Sequence, residues 1–368
     1  MQYSLPLLAL LVCLSTGCRT IDPVTTGQPA DPFPAQLDSL MLAHHLPGLS
    51  VAVSRHGVPV FSRGYGYADL DSSRPVTTAT PFRIASLTKP MAATVLLQLR
   101  NEGALDLDDR LKSFLPGYEQ FYGRVRSYIK EELPDLAPLV ENYDFTRDDI
   151  TIRHHLTHTA EGEPGTAFKY NGFVYGTLSR VMEVRSGTDF ANLLQARLFT
   201  PLGMTRSLPS QSGPDPDSLL ADLALPYRFD EGNFARSPFP DTGVNAGAGI
   251  VTTAADLLRF DAAYARGDLL PEESVREMTT PFRLNDGSTS PYGLGWFIEE
   301  LDGERVIWHY GWQPGAYSGL YIKVPRHGLT IVALANGEGL SSPFFQRDKR
   351  LAQNAFARLL LNRFIEGD

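Results

Sequence analysis

Two periodicities of hydrophobic and polar positions run through the chain, and together they predict a mixed α/β protein. Between residues 48 and 70, apolar and polar positions alternate on both sides of His56 and Gly57, which is typical of a β-hairpin. Apolar positions at helical spacing predict helices elsewhere. These helices cover residues 35–45, 89–101, 153–156, 178–185, 190–198, 254–265 and 345–364, with further helical stretches around 128–132.

Strand patterns return near the end of the chain, in residues 292–301, 304–311, 317–325 and 329–337. Because strands stand near both ends with helices between them, we expect one antiparallel sheet built from both ends, with the terminal helices covering it. The predicted fold class is α/β, a three-layer α/β/α arrangement with a mostly helical lobe inserted. One domain would cover residues 35–365, with a sheet lobe at about 35–85 and 245–365 and a helical lobe at about 86–244. A site is expected between the two lobes.

The first residues form a leader rather than part of the fold. The apolar run at residues 5–14 is too short to span a bilayer as a helix, so residues 1–17 are predicted to be a signal peptide. Cys18 ends a Leu-Ser-Thr-Gly-Cys stretch that resembles the lipobox of bacterial lipoproteins, although Ser15 stands where leucine is usual and no basic residue precedes the run. Plain cleavage nearby and an uncleaved anchor are the alternatives. Residues 18–34 are predicted to be an extended tether, and the protein is expected in the periplasm or cell envelope.

Composition excludes several classes of function. The chain has 368 residues, a net charge of −9 and no basic block, so we expect no nucleic-acid partner. Both cysteines, Cys13 and Cys18, lie in the leader. The body therefore has no disulfide, no thiolate nucleophile and no cysteine-ligated zinc.

Ser86 and Lys89 stand three residues apart where a loop becomes an apolar helix. Positions i and i+3 share one face of a helix, so the two side chains are expected to meet. A serine hydroxyl becomes a strong nucleophile only when a base takes its proton, and lysine can be that base only in its neutral form. Burial against an apolar lobe, or a second cation, would lower the lysine pKa toward that form. Taken alone, the spacing also fits a serine at a helix start followed by a solvated lysine.

The segments around and beyond this pair resemble the serine β-lactamase and penicillin-binding protein family, in its class C and esterase-like branch. The resemblance extends over about residues 35–360 and implies a DD-peptidase/β-lactamase-like fold, an acyl-enzyme mechanism and no cofactor or metal. The segments that carry it are FRIASLTKPMAATVLLQL with LDLDDRL behind it, ITIRHHLTHTAEG, PGTAFKYNGFVYGTLSRVMEVRSG, NAGAGIVTTAADLLRF, YGLGWFIEE and IWHYGWQPGAYSGLYIKVP.

The resemblance implies a catalytic set of three side chains. Ser86 matches the family's nucleophile and Lys89 matches its partner in proton transfer. Tyr170 matches the tyrosine that passes a proton to the leaving group and activates water for deacylation. Such a tyrosine would need a nearby cation to serve as phenolate, and Lys89 would provide one.

A second set of residues matches the family's third motif and its oxyanion hole. His309 and Gly311 match His-x-Gly on the strand that lines the site. The implied oxyanion hole consists of the backbone N–H groups of Ser86 and Trp312, and each donor is worth about 3 kcal/mol in a transition state. Without the resemblance, Tyr170 would be explained as an ordinary half-buried tyrosine, His309 as a cross-strand polar residue on a solvent face and Trp312 as a core residue.

The chain departs from the family pattern at the second motif, Tyr-x-Asn. Gly172 takes the place of the asparagine, and Asn171 stands one position early, so both are candidates for contact with substrate. In the family this asparagine helps to hold the acylamino arm of β-lactams and peptides. A charged, aromatic segment at residues 118–149 also appears extra and would form a lid over the cleft or a new wall.

Three classes of function remain open from the sequence. The first is an exported serine hydrolase that forms an acyl-enzyme on Ser86 and acts on esters or small amides and peptides, or alternatively a β-lactamase or D-Ala-D-Ala peptidase. The second is a penicillin- or peptidoglycan-binding module without catalysis. The third is a metal-dependent hydrolase, because His154, His155 and His158 have spacings that could ligate zinc on one helix face. The resemblance favours the first, and it implies a structural part for His158.

Overall fold

A computed structural model describes residues 31–132, 137–209, 216–239, 243–342 and 350–365. The leader, Cys18 and most of the predicted tether lie outside these residues. Within them, the helices are α1 (Phe33–Ala43), α2 (Thr88–Asn101), α3 (Tyr118–Glu132), α4 (Pro138–Glu141), α5 (Ile152–Leu156), α6 (Gly172–Gly176), α7 (Leu178–Ser186), α8 (Phe190–Leu194), α9 (Pro216–Ala221), α10 (Ala254–Arg266), α11 (Glu272–Met278) and α12 (Ala355–Ile365).

The strands form one large antiparallel sheet and two small ones. The large sheet has the order β3-β2-β1-β11-β10-β9-β8, so strands from the two ends of the chain meet where β1 pairs with β11. The small sheets are β4 with β7 and β5 with β6. The strands are β1 (Gly48–Arg55), β2 (Val58–Asp69), β3 (Arg74–Pro75), β4 (Phe82–Arg83), β5 (Tyr227–Asp230), β6 (Asn233–Arg236), β7 (Val251–Thr252), β8 (Phe297–Leu301), β9 (Glu304–Gln313), β10 (Tyr317–Val324) and β11 (Leu329–Ala335).

The large sheet is covered on both faces, which confirms the predicted three-layer α/β/α fold. One hydrophobic core lies between the sheet and the terminal helices and includes Leu37 of α1 and Leu360 of α12. A second core lies on the other face and includes α2, α10 and the helical lobe. Strands buried on both faces explain why β11 reads as a continuous apolar run rather than an alternating one. The predicted domain boundaries stay predictions.

Most predicted elements are present, and several differ from the prediction in their bounds; α3, for example, spans Tyr118–Glu132, where a helical stretch was predicted only around residues 128–132. Of the predicted helix at 345–364, residues 345–349 lie outside the described residues, Leu351–Gln353 form a 3-10 turn, and the α-helix runs from Ala355, where Asn354 Oδ1 accepts a hydrogen bond from the Ala357 N–H at 2.9 Å. The strand predicted from residue 292 begins at Phe297, because Gly295 has a φ of +88°, which interrupts extended backbone. The β5–β6 hairpin was not predicted.

The segment at 118–149 packs onto the helical lobe through aromatic rings. Tyr122 of α3 stacks on Phe145 with ring centroids 5.3 Å apart, and it meets Phe173 of α6 edge-on at 5.6 Å. The segment therefore lies beside α6, which carries Gly172 at its start. Across the described ranges, no helix has both the length and the apolar character that crossing a membrane requires.

Candidate active site

Ser86 lies in a tight turn that is held from two sides. The short strand β4 pairs with β7, and the Ile84 N–H donates to Ile250 O at 3.1 Å, so the chain enters the turn in a fixed direction. Ala85 then adopts a φ of +45°, which is uncommon for a residue with a side chain. A short 3-10 turn, Ala85–Leu87, leads directly into α2. Ser86 is half-buried at this helix mouth.

Lys89 lies one turn after Ser86 and is completely buried. Its Nζ is 2.8 Å from Ser86 Oγ and 2.9 Å from the carbonyl oxygen of Gly247. Burial lowers the pKa of Lys89 to about 7, because an ammonium loses its hydration there. Near neutral pH a large fraction of Lys89 is therefore the free amine, and the Ser86 hydroxyl can donate its proton to that amine.

Tyr170 stands on the other side of Ser86. Lys89 Nζ lies 5.1 Å from the centre of the Tyr170 ring. Burial raises the pKa of Tyr170 well above its ordinary value, and a hydrogen bond with Ser86 opposes this rise. The phenolate expected from the sequence is thus disfavoured in the resting site. The physical reason is that burial favours the neutral form of both Tyr170 and Lys89, so Lys89 is not a permanent cation that could stabilise a phenolate.

The side chains of β9 alternate between the two faces of the sheet, and the residues matched to the third motif lie on the face toward Ser86. His309 and Gly311 face the helical lobe, whereas the side chains of Tyr310 and Trp312 pack on the side of the terminal helices. A Cβ on Gly311 would lie 2.2 Å from Ile84 O, so only glycine lets the Ser86 turn approach the strand this closely. Trp312 thus turns its side chain away from Ser86, and its indole N–H donates to Glu338 at 3.2 Å.

Strand β8 ends before it reaches the part of β9 that lies beside Ser86. Strand β8 pairs with β9 only from Glu304 to Trp308, whereas β10 continues to pair as far as Gln313. Within the described residues, no strand pairs with residues 309–313 on the β8 side. The backbone of this stretch is the one that the sequence predicts as half of the oxyanion hole, and that role stays a prediction.

His309 is buried and neutral. Its Nδ1 lies 2.7 Å from Tyr310 O, and because a carbonyl can only accept, Nδ1 carries the proton. Its Nε2 therefore accepts from the Tyr292 hydroxyl at 2.8 Å. Burial, with the nearby Lys89 charge as a smaller cause, holds the pKa of His309 well below its ordinary value. His309 is a fixed neutral dipole here and adds no positive charge to the site.

Asn171 and Gly172 take up different positions relative to Lys89. Asn171 caps α6, since its Oδ1 accepts from the Phe173 and Val174 N–H groups at 3.0 and 3.1 Å. Its Nδ2 donates to Glu161 at 2.7 Å, and the residue is only 2% exposed. These contacts hold the Asn171 amide within the protein framework, which favours a structural part over the substrate contact predicted from the sequence.

Gly172, the first residue of α6, lies against the lysine. A Cβ added to Gly172 would be 3.6 Å from Lys89 Nζ, which is ordinary van der Waals contact. The position that matches the family's asparagine therefore lies beside Lys89. In this chain the position is a glycine, so no side chain reaches the lysine from there.

The Gly247 carbonyl was missed by the sequence analysis. It belongs to a glycine-rich loop in which Asn245 and Ala248 exchange backbone hydrogen bonds at 2.8 and 3.1 Å. A Cβ on Gly247 would lie 2.6 Å from Gly172 O, so this glycine allows the loop to reach the lysine. In the sequence, the segment NAGAG is only one of the stretches that resemble the family. Its residue types do not indicate a hydrogen bond to Lys89, which lies 158 residues away in sequence.

The three clustered histidines point to different partners. His154 Nδ1 accepts from the Thr151 N–H at 3.1 Å as part of a helix cap. His155 Nε2 is 2.8 Å from the Tyr143 hydroxyl, and burial lowers its pKa to about 3. His158 Nδ1 accepts from the Asn171 N–H at 3.1 Å. In the described part of the chain, no group of three or more potential ligands converges, and the one-face zinc arrangement considered above is not formed.

Comparison with known proteins gives a consistent result. The family model described as Beta-lactamase matches residues 33–356. A penicillin-binding protein of Bacillus subtilis (strain 168) is 27% identical over 310 residues, which is 78% of this chain and 68% of that protein. A D-aminopeptidase of Gluconobacter oxydans (strain 621H) is 26% identical over 321 residues, and the match covers 83% of this chain but only 60% of that protein.

Solved structures share the fold. The octameric penicillin-binding protein homologue from Pyrococcus abyssi superposes with a TM-score of 0.71 at 21% identity, covering 91% of this chain and 77% of that one. A D-amino acid amidase from Ochrobactrum anthropi SV3 gives 0.68 at 20% identity, covering 92% and 100%. These findings confirm the family resemblance, and we conclude that the chain belongs to the beta-lactamase family and is a serine hydrolase.

Proposed function

We propose that this serine hydrolase works through an acyl-enzyme on Ser86, with Lys89 as the base. The observation that carries the proposal is the 2.8 Å contact between Lys89 Nζ and Ser86 Oγ, made by a lysine that is fully buried. A buried lysine whose pKa is lowered to about 7 is available as a neutral base at physiological pH. A solvated lysine would hold its proton and could not activate the serine.

The proposed reaction has two steps. Ser86 Oγ attacks the acyl carbon and its proton passes to Lys89 Nζ, while the backbone N–H groups of Ser86 and Trp312 stabilise the negative oxygen. The bond to the leaving group then breaks, and the leaving group takes a proton through Tyr170. In the second step a water molecule attacks the acyl carbon, the acid is released, and Ser86 regains its proton.

We further propose that simple esters are better substrates than β-lactams. The acylamino arm of a lactam or peptide would have a partner in the family's asparagine, whereas Gly172 offers no side chain. A buried amide left without a hydrogen bond costs about 1–3 kcal/mol. Simple esters carry no such arm, and an alkoxide or phenolate leaving group needs less protonation than an amine.

The test is a substrate panel combined with mapping of the acylated residue. We expect a higher kcat/KM for short-chain aryl esters than for chromogenic cephalosporins, and a fluorophosphonate adduct on Ser86 in the mass spectrum. Gly172→Asn is the matched variant, and it should move the ratio toward the lactam. The same panel includes a D-alanyl-D-alanine peptide and an N-terminal D-residue peptide, because the relatives are named penicillin-binding protein and D-aminopeptidase.

Faster hydrolysis of a cephalosporin than of aryl butyrate at equal concentration would contradict the ester proposal. Hydrolysis of a D-residue peptide faster than of either the cephalosporin or the aryl butyrate would assign the protein to peptide hydrolysis instead. A selective loss of lactam or peptide turnover in Asn171→Ala, with no change in thermal stability, would show that Asn171 contacts substrate.

We also propose that the protein is exported and anchored through a lipid on Cys18, as the leader pattern indicates. In a bacterial host, the wild-type protein should fractionate with membranes and incorporate labelled fatty acid. Cys18→Ala should release it into the soluble fraction or leave it unprocessed, and Cys13→Ala is the matched control because Cys13 lies inside the apolar run. Equal fractionation of Cys18→Ala and wild type, with no label on either protein, would refute lipidation.

A further inference from the structure

Both hydrogen bonds of Lys89 can be made by a neutral amine or by an ammonium, and the two forms differ in the charge on the N–H group that is left over. A neutral amine has two N–H donors and one lone pair, whereas an ammonium has three donors. Nζ contacts Ser86 Oγ and Gly247 O, so the amine can accept the Ser86 proton on its lone pair and donate to the carbonyl. An ammonium would donate to both oxygens. In either form one N–H has no oxygen acceptor among the described residues, and a charged donor left unpaired in a buried site costs more than a neutral one.

The surroundings of Nζ supply π faces rather than oxygens. The rings of Tyr170 and Tyr175 lie with their centres 5.1 and 5.4 Å from Nζ, and a ring face is a weaker partner for a buried ammonium than an oxygen acceptor. Gly172 also borders Nζ, since a Cβ there would be 3.6 Å away. A side chain at this position could reach the ammonium, and glycine has none.

We propose that Gly172 is a tuning position that keeps Lys89 in its neutral, proton-accepting form by placing no hydrogen-bond acceptor beside Nζ. This inference rests on the proposed role of Lys89 as the base and adds what sets its proton affinity. An acceptor at residue 172 would complete the hydrogen bonds of the ammonium and hold the proton on Lys89. The enzyme would then need a more alkaline medium to activate Ser86.

The titratable groups described here as facing Lys89 are neutral, so none of them adds a negative charge that would hold its proton. Tyr170 and Tyr175 are protonated, since burial raises the pKa of each well above its ordinary value. His309 of β9 is neutral, since burial lowers its pKa well below its ordinary value, and its partner Tyr292 is likewise a buried, protonated phenol. The carboxylate of Glu161 accepts from Asn171 Nδ2 at the start of α6. Burial is the cause that lowers the pKa of Lys89.

The experiment is a titration of Lys89 in three variants, each of which places a Cβ at residue 172. Gly172→Ala adds the methyl group without an acceptor, Gly172→Asn adds a neutral acceptor, and Gly172→Asp adds a charged one. Lysine labelled with ¹³C at Cε gives only six resonances in this chain, and Lys89→Met identifies the one of interest. The midpoint of that resonance is read against pH, and the pH profile of kcat/KM for an aryl ester is recorded beside it.

We expect the Lys89 midpoint in Gly172→Ala to stay near the wild-type value, the midpoint in Gly172→Asn to rise by about 1 pH unit, and that in Gly172→Asp to rise further. The acid limb of the activity profile should move by the same amounts. Equal midpoints in all four proteins, or a shift in Gly172→Ala as large as in Gly172→Asn, would overturn the proposal. Thermal melts identify any variant that fails to fold, and the ranking of the remaining variants still decides the outcome.

The NMR titration keeps this inference separate from the proposed function. If fluorophosphonate does not label Ser86 in the wild-type protein, the acyl-enzyme proposal fails, while the Lys89 midpoints still report whether residue 172 tunes the lysine. If Ser86 is labelled and the midpoints do not move, the tuning proposal alone fails.

Discussion

Ser86→Ala is expected to abolish turnover of every substrate that the protein hydrolyses, while the fold stays intact. Removing the nucleophile of a serine hydrolase lowers kcat by a factor on the order of 10³ or more, because no other group can form the covalent intermediate. Ser86 is half-buried at the helix mouth, and alanine has no difficulty in a 3-10 turn. The measurement is kcat/KM for an aryl butyrate, with circular dichroism and a thermal melt beside it.

Ser39→Ala is the matched control for this variant, since it removes a serine hydroxyl from the exposed face of α1, where that hydroxyl bonds only to Ala35 O. Its activity should equal that of the wild type. Residual activity of Ser86→Ala within tenfold of the wild type, with an unchanged melting temperature, would exclude Ser86 as the nucleophile and reopen the alternative of a binding module.

Lys89→Met is expected to lose activity on a scale comparable to Ser86→Ala. Methionine nearly fills the volume of the lysine stem but cannot take a proton, and a positioned general base is worth about 10²–10⁴ in rate. Ser86 and Lys89 act as one unit, so the double variant should be scarcely worse than either single variant. Additive losses in the double variant would indicate that Lys89 has only a structural part.

The pH profile of the wild type follows from the same lysine. Because the pKa of Lys89 is lowered to about 7, the base is protonated below that pH and free above it. The kcat/KM for an ester should therefore rise through about pH 7 and level off above it. A profile that stays flat from pH 5 to 9 would contradict Lys89 as the titrating base.

The burial of Lys89 should also make the free energy of unfolding depend on pH. Between pH 7 and the unfolded value of about 10.5, the unfolded chain binds a proton on Lys89 that the folded chain does not, so the free energy of unfolding gains about 1.4 kcal/mol per pH unit from this group as pH rises. Below pH 7 both states are protonated and the full cost of burial remains. Lys89→Met should consequently be more stable than the wild type at pH 6, and the difference should shrink toward pH 10.

Urea unfolding at pH 6 and pH 9.5 measures this difference. Lys112→Met is the control for removal of a lysine, since Lys112 forms exposed ion pairs with Glu119 and Asp148 and its loss should not stabilise the protein at pH 6. If Lys89→Met is less stable than the wild type at both pH values, burial of Lys89 is not a cost to the fold.

Local patterns in the sequence were enough to define the elements of the fold and one pair of the site. Ser86 and Lys89 meet because they are one helical turn apart, and the hairpin at His56 and Gly57 forms because strand alternation and turn residues act over a few positions. The order of the family's segments along the chain added the class of enzyme. These features depend on neighbouring residues or on the order of segments along the chain, so they could be predicted without the structure.

Only the tertiary structure decided the protonation of the site and the partners of its polar groups. Burial lowers the pKa of Lys89 to about 7, and its Nζ donates a second hydrogen bond to Gly247 O, far along the chain. Asn171 was a candidate for substrate contact from its position in sequence, yet Glu161 and the start of α6 bind its amide. Burial and long-range hydrogen bonds depend on residues distant in sequence, and no periodicity along the chain encodes which of them meet.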